Sequence, residues 1–85
     1  MTTSEREQLI RYAGVNASDT QAVAVLEGCY DRATAWYEAA GCDSGDSDVK
    51  SWIMDLASWF FDNRGRSDAE IPPYIVASVH QLRTT

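Results

Sequence analysis

The chain has 85 residues, of which 45% are hydrophobic and 11% aromatic, and its formal net charge is −6 at pH 7. This length indicates one domain, and the hydrophobic content favours a folded core over disorder. An independent nucleic-acid-binding protein needs a basic face, so thirteen acidic residues against seven Lys and Arg argue against that class. Residues 1–10 are mostly polar and charged, so we expect no secretory leader. The uninterrupted apolar runs in the chain are only a few residues long, so we expect no membrane span.

The aromatic content is high for so small a core. Three Trp, four Tyr and two Phe favour a chain with at least one buried intermolecular surface. The alternative is that the Trp and Tyr side chains stay half-exposed in a monomer. The two cysteines, Cys29 and Cys42, lack the CxxC spacing of a redox or metal site, and a reduced, cytoplasmic setting is the simplest interpretation.

The hydrophobic pattern predicts an all-α fold, a compact bundle of about four helices. Two long antiparallel helices are expected, with shorter helices at the two termini, and no alternating β-branched run indicates a strand. The first helix is predicted over residues 5–13. A capping box from Ser4 to Glu7 opens it, and Gly14 ends it.

The second helix, predicted over residues 20–40, carries two apolar rows. Asp19 is the expected N-cap, with Ser18 as the competing cap. Because the rows lie side by side, the helix is able to contact both its own core and a neighbouring protein. The inner row, spaced by three and four residues, is Val23, Leu26, Tyr30, Ala33, Tyr37 and Ala40. The outer row is Val25, Cys29 and Trp36.

The third helix, predicted over residues 48–64, is the most hydrophobic and aromatic stretch, and we expect the other helices to pack around it. Gly65 follows at the position where a helix commonly stops in a left-handed turn. Asp46 or Ser47 is expected to cap its start. A calcium loop is a poorer account of the acidic residues there, because the glycine and the distal glutamate of an EF-hand are out of place. One face carries Val49, Trp52, Ile53, Leu56, Trp59 and Phe60.

The last helix is predicted over residues 72–83. Tandem prolines, Pro72 and Pro73, are tolerated in a first helical turn, where their missing N–H groups have no intrahelical acceptor. An amphipathic pattern follows, formed by Tyr74, Ile75, Ser78, Val79 and Leu82.

Residues for catalysis, cofactor binding or metal binding are sparse, and we predict none of these sites and no enzyme. The single histidine, His80, lies two residues from Ser78 and therefore on a different helix face. Two distant cysteines do not supply a zinc site. Arg64 and Arg66 flank Gly65 and would suit an acidic partner or a DNA phosphate; the alternative is a solvated helix end that complements the helix dipole.

The last third of the chain resembles the small head–tail connector proteins of tailed bacteriophages. The resemblance is carried by the aromatic helix end Trp59–Arg64, by the segment Ile71–Ile75 and by Gln81–Arg83. In that family a helix with a W-[YF]-x-[DEN]-N-R-like end precedes a proline-led C-terminal helix. The order of the upstream elements also fits the family's layout.

The resemblance implies a non-catalytic adaptor at the head–tail junction of a virion, assembled in the host cytoplasm. Such subunits form a ring, commonly twelvefold, which extends the DNA channel below the portal protein and offers a platform to a tail-completion protein. DNA would pass through without sequence-specific binding. The expected interface with the portal or a neighbouring copy comprises Tyr37, Arg64, Arg66, Ile71, Pro72, Tyr74, Ile75, Val79, Leu82 and Arg83.

Two other interpretations remain open. A small helical regulatory or interaction module, antitoxin-like or of helix-turn-helix type, fits the helical content but lacks a basic recognition helix: the third helix has a single Lys50 near its start. A small helical enzyme or enzyme subunit would need a polar pocket, which His80 alone does little to support.

Overall fold

The described chain, residues 2–66 and 68–83 of a computed structural model, contains four α-helices. These are α1 (Thr3–Ala13), α2 (Thr20–Ala39), α3 (Ser47–Asp62) and α4 (Pro73–Leu82). The all-α prediction is confirmed, and each predicted helix end lies within two residues of the observed one. Within the described ranges the only β-type pairing is an isolated antiparallel bridge between Cys42 and Arg83.

The helix ends follow the capping chemistry of the sequence, with one correction. The predicted caps Asp19 and Asp46 are confirmed: their carboxylates accept from the N–H groups of Ala22 (3.1 Å) and Asp48 (2.8 Å). The predicted Ser4 cap is wrong. Thr2 caps α1 instead, because its Oγ1 accepts from the N–H of Glu5 at 3.1 Å. The helix therefore starts at Thr3, before the predicted start at residue 5.

Glycine ends α1 as the sequence predicts. Gly14 has a φ of 73°, and its N–H points back to the carbonyls of the last helical turn. Gly65 also adopts a left-handed conformation, with a φ of 82°, just beyond the end of α3. A residue with a Cβ would be strained at either position, so both turns are fixed by local sequence.

The core is built around α3, which packs against each of the other three helices. The α2–α3 pair, joined by the short connection 40–46, forms the most extensive contact. The inner row of α2 is buried as predicted, apart from the half-buried Ala40 at its end. The core comprises Leu9, Val23, Leu26, Tyr30, Ala33, Tyr37, Cys42, Val49, Ile53, Leu56, Ala57, Phe60, Phe61, Ile75 and Val79.

A buried hydrogen bond ties α4 to α2. Ser78 Oγ donates to the Ile75 carbonyl, so its single proton is used within α4. Tyr37 Oη lies 2.9 Å from Ser78 Oγ and must therefore act as the donor between them. Both residues are buried, which gives α4 a specific polar anchor as well as apolar contacts.

A candidate interaction groove lined by arginine and aromatic side chains

An open groove of about 610 Å³ runs between the outer row of α2, the C-terminal end of α3 and the connection that follows it. We call it the arginine groove. It combines three guanidinium groups with an aromatic and aliphatic floor, a composition typical of protein interfaces. Its lining residues are Cys29, Arg32, Ala35, Trp36, Trp59, Phe60, Asn63, Arg64, Gly65, Arg66, Ala69 and Ile71.

Two of the three arginines are positioned by phenylalanine rings of α3. The Arg32 guanidinium lies 4.3 Å from the centroid of Phe60, and that of Arg64 lies 4.1 Å from the centroid of Phe61. Arg64 Nη1 also donates to the Phe61 carbonyl at 2.6 Å. Because the rings are buried and fixed, these contacts hold the cations in place before any partner binds.

Asn63 connects the third arginine to the end of α3. Its Nδ2 donates to the Trp59 carbonyl at 2.9 Å, and its Oδ1 accepts from Arg66 Nη1 at 3.3 Å. Arg66 Nε lies 4.0 Å from Asp68, but both side chains are more than half exposed, so this ion pair is weak. The helix ends at Asp62, which leaves Arg66 to bond with Asn63 rather than with Asp62.

The groove concentrates positive charge in an acidic chain. Elsewhere, Arg6 pairs with Glu27, and Lys50 pairs with Glu5 at 3.2 Å, where the hydrogen bond from Lys50 lowers the pKa of Glu5. Within the described ranges, Arg32 has no carboxylate within 4.0 Å, and neither has Arg64. These two groups therefore keep charge available for an anionic partner.

The floor of the groove is aromatic and uncharged. Trp36 and Trp59 are half-buried, and each meets a neighbouring ring edge to face: Trp36 with Tyr37 at 4.9 Å and Trp59 with Phe60 at 5.7 Å. Cys29 is also half-buried here, and burial raises the pKa of its thiol, which stays protonated at neutral pH. Apolar contact and cationic hydrogen bonding are thus available side by side.

A second, smaller cleft of about 360 Å³ has the opposite charge. We call it the acidic cleft; it is lined by Tyr12, Ala13, Asp55, Ser58, Trp59, Asp62 and Tyr74. The Tyr12 hydroxyl donates to Asp55 Oδ1, and this hydrogen bond raises the pKa of Tyr12 to about 12. Tyr12 is 57% exposed and Tyr74 is 55% exposed, although Tyr74 lies 6.3 Å from Trp52. Two large aromatic side chains therefore face solvent beside two carboxylates.

The structure divides the predicted interface residues between surface and core. Arg64, Arg66 and Ile71 come together in the arginine groove, and Tyr74 lines the acidic cleft. Pro72 and Leu82 are half-buried, and Arg83 is exposed. Among the aromatic residues of α3 and α4, Trp52 and Trp59 are half-buried and Tyr74 is exposed.

Three predicted interface residues need correction, because they point into the subunit. Tyr37 and Ile75 are 0% exposed, and Val79 is 9% exposed. All three belong to the hydrophobic core of the subunit, so their role is core packing rather than contact with a partner. The inner-row position of Tyr37 was the signal for this, since the residues before it in that row are buried too.

Sequence reasoning missed Arg32, Asn63 and the pairing of Tyr12 with Asp55. Arg32 sits three residues after Cys29 and four before Trp36, so the outer row itself placed it beside the aromatic floor. The other two depend on contacts between distant segments. Nothing in the local sequence indicates that Tyr12 of α1 will meet Asp55 of α3.

The structure bears on two kinds of chemical site that the sequence raised, a metal site and a nucleophile–histidine pair. Over 2–66 and 68–83, no group of three or more His, Cys, Asp or Glu is placed to hold a metal ion. His80 is exposed, whereas Ser78 is buried and bonded to Tyr37 and Ile75, so the two do not form a nucleophile–base pair. None of the helices described is both long and apolar enough to cross a bilayer.

Comparison with protein-family models, curated proteins and solved structures gave no match. The resemblance of Trp59–Arg83 to head–tail connectors therefore stays a prediction.

Proposed function

We propose that this protein is a non-catalytic structural adaptor, a head–tail connector subunit that joins a phage portal to the tail. The observation that carries the proposal is the open arginine groove, in which positioned cations flank a half-buried aromatic floor. Arg, Trp and Phe are enriched in protein interfaces, and Arg and Trp are also enriched in their hot spots. A surface of this composition favours binding to another protein over exposure to solvent.

The position of the groove supports the same proposal. Half of its lining residues come just before α4 in the chain: Asn63, Arg64, Gly65, Arg66, Ala69 and Ile71. The resemblance assigns portal or subunit contact to the region from Ile71 to Arg83. Geometry and resemblance thus favour one continuous binding region at the C-terminal end of the chain.

The charge of the remaining surface fits a DNA conduit. With a net charge of −6, most of the exterior repels phosphate, so DNA would pass a ring of these subunits without adhering. The helix-turn-helix alternative finds less support, because the groove arginines come from α2 and from the connection after α3. They do not line one helix that would enter a major groove.

The proposal is tested by coexpressing the chain with the portal protein encoded by the same genome. We expect a stable complex that copurifies and shows added density below the portal ring in electron microscopy. Arg32→Ala with Arg64→Ala should weaken the complex, whether the groove contacts the portal directly or joins neighbouring subunits in the ring, whereas Arg11→Ala, an exposed arginine outside the groove, should not. A genome without a portal gene, or a portal that never captures the chain, would contradict the proposal.

A further inference from the structure

We propose that the arginine groove of one copy receives the acidic cleft of a second copy, so that the chain associates head to tail. This inference rests on the proposed adaptor function and names the surfaces through which copies would meet. The groove and the cleft differ in sign of charge, and both combine aromatic rings with polar groups. They lie on one chain, so every copy carries both halves of the contact.

Charge complementarity supports a second copy as the occupant. The groove presents Arg32, Arg64 and Arg66, while the cleft presents Asp55 and Asp62. Arg32 and Arg64 have no carboxylate within 4.0 Å in the described ranges, and Asp62 is exposed. Arginine binds carboxylates with two parallel hydrogen bonds, which would fix the orientation of the copies.

Apolar complementarity adds to the charge match. The exposed rings of Tyr12 and Tyr74 flank the cleft, and the groove floor offers Trp36 and Ile71. A tyrosine ring placed over such a floor buries apolar area while its hydroxyl stays near the polar rim. Tyr12 and Tyr74 are also two of the four large hydrophobic side chains that the described chain leaves most exposed.

The arrangement makes the contact heterologous. Trp59 lines both sites, which places them on two sides of the C-terminal half of α3. One copy's groove then binds its neighbour's cleft and leaves its own cleft free for a third copy. Contacts of this kind propagate and give a ring when the rotation between copies closes.

Charge reversal tests the pairing. Arg66→Asp changes the groove and Asp62→Arg changes the cleft, at two exposed positions outside the core. Arg11→Glu and Glu7→Arg are matched controls, because they make the same charge changes on α1 outside both sites. The readout is the weight-average mass by sedimentation over a concentration series, with circular dichroism to verify that each variant is folded.

We expect the unmodified chain to associate reversibly, and each reversal in the groove or cleft to weaken association about tenfold or more. The controls should change it less than about threefold. Mixing the two reversed variants in equal amounts should restore association, because the intact groove of one then meets the intact cleft of the other. A mixture that stays monomeric, reversals that act no differently from the controls, or an unmodified chain that stays monomeric throughout would overturn the pairing.

Portal binding separates this inference from the proposed function. A chain that captures the portal but never self-associates in solution or on the portal would refute the pairing and leave the adaptor function standing. A chain that does neither would refute both. An acidic peptide of the portal that binds the groove of the monomer, with loss of binding in Arg66→Asp, would also overturn the second-copy assignment.

Discussion

The two apolar rows of α2 belong to one helix, yet only the inner row is buried. Val23, Leu26 and Ala33 of the inner row are at most 2% exposed. In the outer row Val25 is 46% exposed, and Cys29 and Trp36 are half-buried beside Arg32. Most of the inner row belongs to the hydrophobic core, whereas Cys29 and Trp36 of the outer row pack against that core and line the arginine groove.

The comparison shows that apolar spacing alone does not decide whether a helix face is core or interface. Both rows repeat with helical periodicity. The inner row consists only of aliphatic and aromatic residues, which can pack in a core. On the face of the outer row, Arg32 lies between Cys29 and Trp36, and its charge remains hydrated. A cation on an apolar row marks the face that stays accessible, because burying it without a partner is costly.

The largest expected difference between the rows is in the free energy of unfolding after truncation of one side chain to alanine in each row. Leu26→Ala removes a fully buried side chain and should lower the free energy of unfolding by about 2–5 kcal/mol. Val25→Ala, one residue earlier on the outer row, should lower it by less than about 0.5 kcal/mol. Urea denaturation followed by tryptophan fluorescence measures both values. Equal losses would mean that the outer row is packed as tightly as the inner one.

The buried hydrogen bond between Tyr37 of α2 and Ser78 of α4 predicts unequal losses of stability when one partner or the other is replaced. Ser78→Ala leaves the Tyr37 hydroxyl buried without an acceptor and should cost about 1–3 kcal/mol. Tyr37→Phe removes that hydroxyl, but Ser78 keeps its bond to Ile75, so the cost should be only about 0.5–1.5 kcal/mol. Thermal unfolding of the two variants, measured in parallel, checks the order. A larger loss for Tyr37→Phe would contradict the assigned donor.

On the open side, Arg64 and Arg66 should differ in their effect on stability. Arg64→Ala removes a hydrogen bond to the Phe61 carbonyl and the contact with its ring, at a cost of about 1 kcal/mol. Arg66→Ala removes only exposed contacts and should change the free energy of unfolding by less than about 0.5 kcal/mol. Denaturation at a concentration where the chain is monomeric isolates this difference from any effect on assembly.

The last expected effect is a pH dependence at the acidic cleft. The hydrogen bond to Asp55 raises the pKa of Tyr12 to about 12, so the folded state holds this proton more tightly than the unfolded state does. The stabilisation is fully present below the ordinary tyrosine pKa of about 10 and is lost as the pH rises from there towards 12. Tyr12→Phe should therefore flatten the decline in stability over this range.

Burial also raises the pKa of Tyr30 and of Tyr37, so part of the alkaline decline should persist in Tyr12→Phe. Titration of tyrosinate absorbance provides the direct measurement. One group with a midpoint near 12 should disappear in the variant. Loss of a group that titrates near the ordinary tyrosine pKa of about 10, instead of near 12, would show that the Tyr12–Asp55 hydrogen bond does not form in solution.

The fold was largely predictable because each helix has local signals. Asp19 and Asp46 cap helices as expected, Gly14 ends one, and the inner row of α2 is buried nearly throughout. The predicted cap at Ser4 failed because Thr2 offers the same chemistry two residues earlier. Two equivalent hydroxyl caps so close together are not separable by local sequence.

The candidate site was predictable only in part. Arg64 and Arg66 were recognised because they flank Gly65 after the aromatic helix, and Ile71 because it begins the C-terminal segment of the resemblance; the structure brings all three into one groove. Arg32 was not recognised, because its place in the groove depends on contact with the Phe60 ring of α3, which is distant in sequence. Tyr37 was misplaced at the interface because aromatic residues are common both in interfaces and in cores, and only the row assignment distinguishes them.

The reactivity of Cys29 tests most directly whether the arginine groove is an interface between copies. Its thiol lines the groove and is half-buried, whereas Cys42 is buried and serves as an internal reference. The rate of Cys29 modification by a thiol reagent should fall as protein concentration rises, while unfolding stays undetectable and Cys42 stays unreactive. A Cys29 rate that is independent of concentration, in a chain that sedimentation shows to be associated, would place the contact elsewhere and contradict the account.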